Sequence, residues 1–278
     1  GWPSVGESGY PVERQTASNF VRGHTILDET GLIDRYCWYS SNNVGNDNGQ
    51  ESRFGLLRGH YDQIADEAKP TFLEAANYIR LMTGAEFIKS YQLENNVRAF
   101  RYKLADGQDA LVCWAVKAPE CAGLKLSASA VTLIDQYGNS EIVHGVDGTF
   151  SFAFDIDPVY IVGNFSDCVP TKSLITLDKQ DFGVVQGDKT EIIIEKRIPS
   201  DAEVQLRLPD NMEIIGDNKF SENHSKTILS TNDTDRTEER APVSVVQNGK
   251  KIFCASLNIT YQEPISLSVT TRPYSAKQ

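Results

Sequence analysis

Several features are scarce or missing in this chain of 278 residues. No apolar run approaches the eighteen or more residues of a membrane-crossing helix, which excludes a helical span. No basic-then-apolar leader opens the sequence and no Met starts it, so Gly1 reads as a processed, engineered or truncated end. The four histidines stand apart: His24 falls on a helix face, and His60, His144 and His224 have no partner nearby in sequence. No G-x-S-x-G element accompanies them, and no metal-ligand spacing exists. The five cysteines (Cys37, Cys113, Cys121, Cys168, Cys254) include no C-x-x-C. Cys113 and Cys121 flank a short Pro-containing segment and have the spacing to bridge a hairpin, Cys168 and Cys254 to pair within the last third, leaving Cys37 over; buried free thiols account for all five almost as well. Cationic residues are outnumbered, 27 Lys and Arg against 38 Asp and Glu, giving a net charge of −11. That balance argues against a nucleic-acid partner, which needs clustered Lys and Arg, and leaves neutral polymers such as polysaccharides compatible. No motif implies a cofactor.

Apolar residues make up 40% of the chain, enough for real cores, and the length predicts two or three soluble globular domains. The most informative stretch is Gly31 to Leu57, GLIDRYCWYSSNNVGNDNGQESRFGLL. Leu32, Ile33, Tyr36 and Cys37 read as the core of a buried strand that ends in Trp38 and Tyr39, followed by a polar loop and a return to apolar FGLL. Flat aromatic faces pack on the C–H faces of sugar rings, and loop residues such as Asn42 hydrogen-bond hydroxyls, so the stretch reads as a sugar-binding floor. The plainer reading of Trp38, a core residue at a strand end, stands beside it. Asp47, Asn48 and Glu51 in the same loop suit substrate or a hard cation, though any polar loop carries such residues.

Along the chain, residues 1 to 11 form a Gly-, Pro- and Ser-rich loop. From Pro11 a helix is predicted, with Glu13 at its positive end and Ala17, Phe20, Val21, His24 and Leu27 on one face, stopping at Gly31. A second helix opens at Lys69-Pro70, and Phe72, Ala75, Ala76, Ile79 and Met82 make its apolar stripe before Thr83-Gly84. The order loop, helix, strand, loop, helix over residues 1–84 is part of a repeating β/α unit, incomplete because one strand cannot make a parallel sheet. From Ala85 the period becomes two. Strands are predicted over 97–104, 110–116, 124–130, 131–134, 150–154 and 159–162, with turns at Asp106-Gly107, Tyr137-Gly138-Asn139 and Asp147-Gly148, making a small antiparallel β-sandwich over 85–166. Residues 163–171 read as a linker. An immunoglobulin-like sandwich is predicted over 167–278, with strands at 174–177, 191–195, 203–208, 243–246, 252–257 and 265–269. The charge-dense stretch 216–242 reads as a long loop or a partly disordered one. The fold class is therefore α/β plus all-β.

Four Asn-x-Ser/Thr triplets, at Asn164, Asn223, Asn232 and Asn258, point to a secreted or cell-surface chain carrying glycans.

GWPS, a helix, RYCWYSSNN, FGLL and KPTFLEAANYIRLMTG, in that order, resemble the last quarter of the (β/α)8 barrel of retaining glycoside hydrolases of clan A. VTLIDQYGNSEIVHGVDGTFSFAFDIDPVYIVG is similar to the closing hairpins of the small β-sandwich that follows the barrel in such enzymes. The resemblance covers residues 1 to about 165 and implies an incomplete (β/α)8 barrel segment followed by two β-sandwich domains. It implies that Trp38 is the platform of the cleavage subsite, that the Trp38–Tyr39 bond sits where the clan often has a cis peptide, and that Trp2 and Tyr10 lie near the mouth. Retention needs two carboxyl groups about 5–5.5 Å apart. The resemblance puts the nucleophilic Glu immediately before Gly1 and the acid/base Glu further upstream, so neither is in this chain. Glu7, in ESGYP, is the one local substitute for a catalytic residue, but no apolar strand precedes it to hold it rigidly, and it reads as a solvated loop carboxylate. Two expectations result. One is the C-terminal portion of a secreted retaining glycoside hydrolase, binding carbohydrate and completed by the remainder of the barrel in cis or from another chain. The other is a non-catalytic extracellular structural or adhesive glycoprotein on a glycosidase-like scaffold.

Overall fold

The computed structural model describes residues 10–38, 41–42, 55–57, 67–117, 119–185, 187–198, 202–216, 219–231 and 237–262. Two helices come first, α1 (Tyr10–Thr30) and α2 (Pro70–Met82). Pro70 occupies the first helical turn of α2, where its missing N–H costs no hydrogen bond. At the far end the backbone N–H of Thr83 donates to Ile79 O at 3.1 Å and Gly84 takes a positive φ of 74°, which a glycine adopts without strain.

Next come β1 (Glu86–Gln92), β2 (Val97–Lys103), β3 (Asp109–Ala115), β4 (Glu120–Leu126), β5 (Ala130–Ile134), β6 (Ser140–His144), β7 (Thr149–Phe154), β8 (Val159–Gly163) and β9 (Cys168–Thr171). One sheet runs β1-β2-β3-β8-β5-β6 and a second β7-β4-β9, both antiparallel. Alternate residues of β2 and β3 explain the layering. Ala99, Leu111 and Cys113 face Leu124, Phe150, Phe152 and Phe154 of the smaller sheet, whereas Phe100, Tyr102, Val112 and Trp114 face Phe20 and Val21 of α1 and Ala75 and Met82 of α2. Strand β3 is thus buried on both sides, which is why its sequence, DALVCWA, is almost continuously apolar instead of alternating. A large aromatic buried this way removes about 150–250 Å² from water, on the order of 4–6 kcal/mol before entropy is counted. Phe100 and Trp114 also stack, 4.8 Å apart and 12° from parallel.

The remaining strands are β10 (Ile175–Leu177), β11 (Asp181–Val185), β12 (Lys189–Lys196), β13 (Ala202–Leu206), β14 (Met212–Ile215), β15 (His224–Thr231), β16 (Glu238–Gln247) and β17 (Lys250–Gln262). They form sheets β10-β12-β15-β14 and β11-β17-β16-β13 around a shared apolar core, with β11 parallel to β17. This is the A-B-E-D and C-F-G order of an immunoglobulin-like sandwich, its first strand divided between the two sheets. Strand β17 also runs against β6 and β7, where Lys251 pairs with Glu141.

Several sequence expectations need correction. The strand expected around Leu32, Ile33, Tyr36 and Cys37 is not formed: among the described residues these four have no sheet partner, Leu32 is 82% exposed, and Cys37 is exposed. Among the described residues of this region, pairing is limited to isolated bridges, Asn42 with Leu57 in parallel and Leu57 with Ala68 antiparallel. The linker at 163–171 contains β9, which pairs with β4. The loop at 216–242 contains β15, an inner strand of its sheet, whose buried positions are Ser225, Thr227, Leu229 and Thr231. Three small hydroxyl residues in four inward positions hid its alternation. Strands β1, β6, β11 and β14 were also unforeseen, and the strand expected at 265–269 lies outside the described residues. All five cysteines are free thiols. Cys113 and Cys168 lie in the core between the two sheets of the middle unit, while Cys121 belongs to the last sandwich's core; burial pushes the Cys121, Cys168 and Cys254 thiols up to about 11.

Candidate functional site

Trp38 is half-buried on an aromatic cluster built by both helices. Phe20 and His24, four residues apart on α1, meet with ring centroids 4.3 Å apart. Trp38 packs on Phe20 at 5.2 Å, Tyr36 meets the His24 ring edge-on at 4.4 Å, and Tyr78 of α2 lies 5.4 Å from His24 and 6.1 Å from Phe20. His24 Nδ1 lies 2.7 Å from Phe20 O and donates to it, which sets the tautomer and leaves Nε2 as acceptor. Burial lowers the His24 pKa, partly opposed by that bond and by Asp28. Beneath the cluster the Tyr78 and Tyr102 hydroxyls donate to Asp28 Oδ2 at 3.4 and 3.0 Å, and burial drives both phenol pKa values upward.

Of the residues assigned from sequence, the structure thus places Trp38 on a prop and Asn42 in the bridge to Leu57. Trp2, Glu7 and Tyr39, and with Tyr39 the bond that follows Trp38, lie outside the described residues; Tyr10 begins α1. Sequence reasoning missed His24, Tyr36 and Tyr78 as members of the aromatic cluster that carries Trp38 through Phe20. The available signal is the four-residue spacing of Phe20 and His24, which fits an ordinary helix stripe equally well.

The second feature is α2 itself. Its buried side carries Thr71, Glu74, Ala75, Asn77 and Met82, whereas Phe72, Leu73 and Ile79 are 41%, 50% and 59% exposed. The helix turns much of its polar side inward and its larger apolar side outward, the reverse of ordinary amphipathic packing. Asn77 explains part of this: its Nδ2 donates to Asp135 O at 3.1 Å and Gln136 O at 3.3 Å, capping the β5–β6 turn. Gly138 in that turn makes room, because a Cβ there would lie 3.2 Å from Asn77 Oδ1. Ile26, Leu32 and Ile33, near the end of α1, are exposed as well.

A third cluster joins helix, middle unit and last sandwich. Arg14 of α1 donates to Asp157 Oδ2 and Asp155 Oδ2, both at 2.6 Å; Arg240 of β16 reaches Asp157 Oδ2 at 2.8 Å. Ser18 and Gln136 also donate to Asp157, and Asn258 of β17 to Asp155. Burial raises the Asp157 pKa against the pull of Arg14 and Ser18, yet a set composed of donors fits the carboxylate form. These two carboxylates are occupied by cations and tie parts of the fold together. Among the described residues no group of three or more His, Cys, Asp and Glu is placed to hold a metal ion. A shallow cleft of about 580 Å³ lies between Glu195, Lys196, Arg197, Ile198, Asn223 and His224.

The Asn-x-Ser/Thr positions differ among themselves. Asn164 and Asn223 are exposed, Asn232 lies outside the described residues, and Asn258 Nδ2 donates to Asp181 Oδ1 at 2.8 Å and Asp155 Oδ2 at 3.2 Å.

No protein-family model matches the chain, and no curated protein does. Solved structures do. The BIgI domain of beta protein from S. agalactiae bound to CEACAM1 is 10% identical, with 33% of this chain and 97% of that one covered, at a TM-score of 0.23. A titin Ig tandem is 13% identical, with 56% and 89% covered, at 0.23. An endo-fucoidan hydrolase of glycoside hydrolase family 107 is 10% identical, with 64% and 34% covered, at 0.25. Likeness at this level carries no argument about activity, and the immunoglobulin-like assignment rests on strand order.

Proposed function

We propose that this chain is the C-terminal part of a secreted retaining glycoside hydrolase, supplying the Trp38 sugar floor and two β-sandwich units to a barrel completed by further polypeptide. The observation behind this reading is the outward apolar side of α2, with Phe72, Leu73 and Ile79 exposed while Glu74 and Asn77 are buried. A helix of a (β/α)8 barrel directs its apolar side at barrel strands, so the reversal fits a helix whose strands come from elsewhere. Exposed Leu32 and Ile33, in a segment without sheet partners among the described residues, fit apolar side chains that further barrel polypeptide would cover. The half-buried indole of Trp38 on its aromatic prop suits a platform for a sugar ring.

Sequencing the reading frame upstream of the Gly1 codon tests this. An apolar strand ending in Glu directly before Gly1 supports it; any other residue there favours the non-catalytic scaffold glycoprotein. The isolated chain is expected not to hydrolyse aryl glycosides, and turnover that vanished in Glu7→Gln would overturn the assignment of the carboxylates to other polypeptide. In the completed enzyme Trp38→Ala is expected to lower kcat/KM by about tenfold or more, the equivalent of roughly 1.4 kcal/mol.

A further inference from the structure

Glu74 is the least explained side chain in the fold. It sits on α2 with 0% of its surface exposed, and among the described residues neither carboxyl oxygen has a hydrogen-bond partner. Thr71 Oγ1 on the same side of the helix and Tyr160 OH of β8 are also buried without one. An ionised carboxylate in such a place would cost more than the packing of one helix turn returns.

The charged groups around it make ionisation harder. Asp135, from the turn before β6, and Asp157, from the turn before β8, both act on Glu74 with like charge. Tyr160 is the titratable group opposing it from the sheet, and burial with Glu74 nearby raises the Tyr160 pKa. The cations on the surrounding elements are turned to other partners. Arg14 and Arg240 bind Asp157, Arg80 donates to Asn77 Oδ1 at 2.8 Å, and Arg22 lies over the Trp114 ring at 5.6 Å. The buried Glu13 and Lys69 have interactions of their own.

We propose that Glu74 is held as an uncharged carboxylic acid, so that the seating of α2 on the six-stranded sheet depends on proton concentration and loosens as pH rises. The direction follows from linkage. A carboxyl group whose folded-state pKa is raised carries no penalty below its unfolded value, about 4.3, and an increasing one as pH climbs from there toward the folded value. Loosening would free Asn77 from the β5–β6 turn and alter the support under the aromatic cluster through Tyr78. The inference does not rest on the glycosidase reading and is tested without any ligand.

The test compares the whole chain with Glu74→Gln, which keeps the shape of the neutral acid and cannot ionise. At about pH 4, just below the unfolded value, the two are expected to unfold at closely similar temperatures; at pH 8 the variant is expected to exceed wild type by about 3 °C or more. Hydrogen exchange across residues 70–82, compared between the two proteins at the same pH, is expected to be faster in wild type at pH 8 and alike at pH 4. A difference that does not change with pH, or a Gln variant less stable at pH 8, overturns the proposal. Infrared spectroscopy of wild type keeps the proposal falsifiable even if the variant fails to fold. A neutral carboxylic-acid C=O band is expected at pH 7, and its absence sinks the idea.

Discussion

Arg14, in the first turns of α1, and Asp157, in the turn between β7 and β8, are 143 positions apart and share a charged hydrogen bond of 2.6 Å. Asp157 accepts at the same time from Ser18, Gln136 and Arg240, so one carboxylate joins the first helix, the middle unit and the last sandwich.

Removing it leaves a guanidinium half-sheltered beside Asp155 alone. Asp157→Ala is expected to cost about 3–5 kcal/mol in urea unfolding, the range for breaking one side of a buried pair. Arg240→Ala is expected to cost less than about 1 kcal/mol, because its side chain is 37% exposed and its charge is screened. Equal costs would contradict this ranking.

The outward side of α2 makes an opposite prediction. Phe72→Ser combined with Ile79→Ser is expected to leave the unfolding midpoint nearly unchanged, within about 0.5 kcal/mol per site, because neither side chain is buried. Self-association in light scattering is expected to fall. A loss of several kcal/mol would mean that this side already belongs to a core.

When the chain is secreted from a glycosylating host, Asn164 and Asn223 are expected to carry glycans and Asn258 none. The Nδ2 that would be modified in Asn258 is held by Asp181 and Asp155 in the middle of strand β17. Mass spectrometry of the Asn-to-Asp shift after enzymatic deglycosylation reads occupancy directly, and a glycan on Asn258 would show that this strand is open when the modification occurs.

His24 adds an acid limb opposite in sign to the effect of Glu74. Burial lowers its folded pKa, so the folded state prefers the neutral ring. Stability is complete above the unfolded value near 6.5 and declines as pH falls from there toward the folded value. In thermal unfolding between pH 7 and pH 4.5, His24→Phe is expected to show a shallower decline than wild type, and an unchanged slope would assign the acid limb to other groups.

Much of the fold was legible because its signals are local. Pro11 and Gly31 bracketed α1, Lys69-Pro70 and Thr83-Gly84 bracketed α2, and alternation marked β2, β5, β7 and β8. Strand β15 escaped because Ser225, Thr227 and Thr231 are polar in name but small enough to be buried in its sheet. The strand expected at Leu32–Cys37 does not form for the converse reason: apolar letters do not make a strand by themselves, and among the described residues this segment has no neighbour to accept its hydrogen bonds. At the candidate site Trp38 was visible as a residue, but its prop was not, because Phe20, His24, Tyr36 and Tyr78 come together only when two helices meet.

By itself, the sequence determined where helices and many strands begin and end, and that the chain is acidic and without a helical membrane span, because propensity, capping and charge are properties of neighbouring residues. Only the tertiary structure decided that α2 turns Glu74 inward and Phe72 outward, and that Asp157 joins three parts of the molecule. Which side of a helix is buried depends on what lies opposite it, and the order of residues along the chain does not contain that surface.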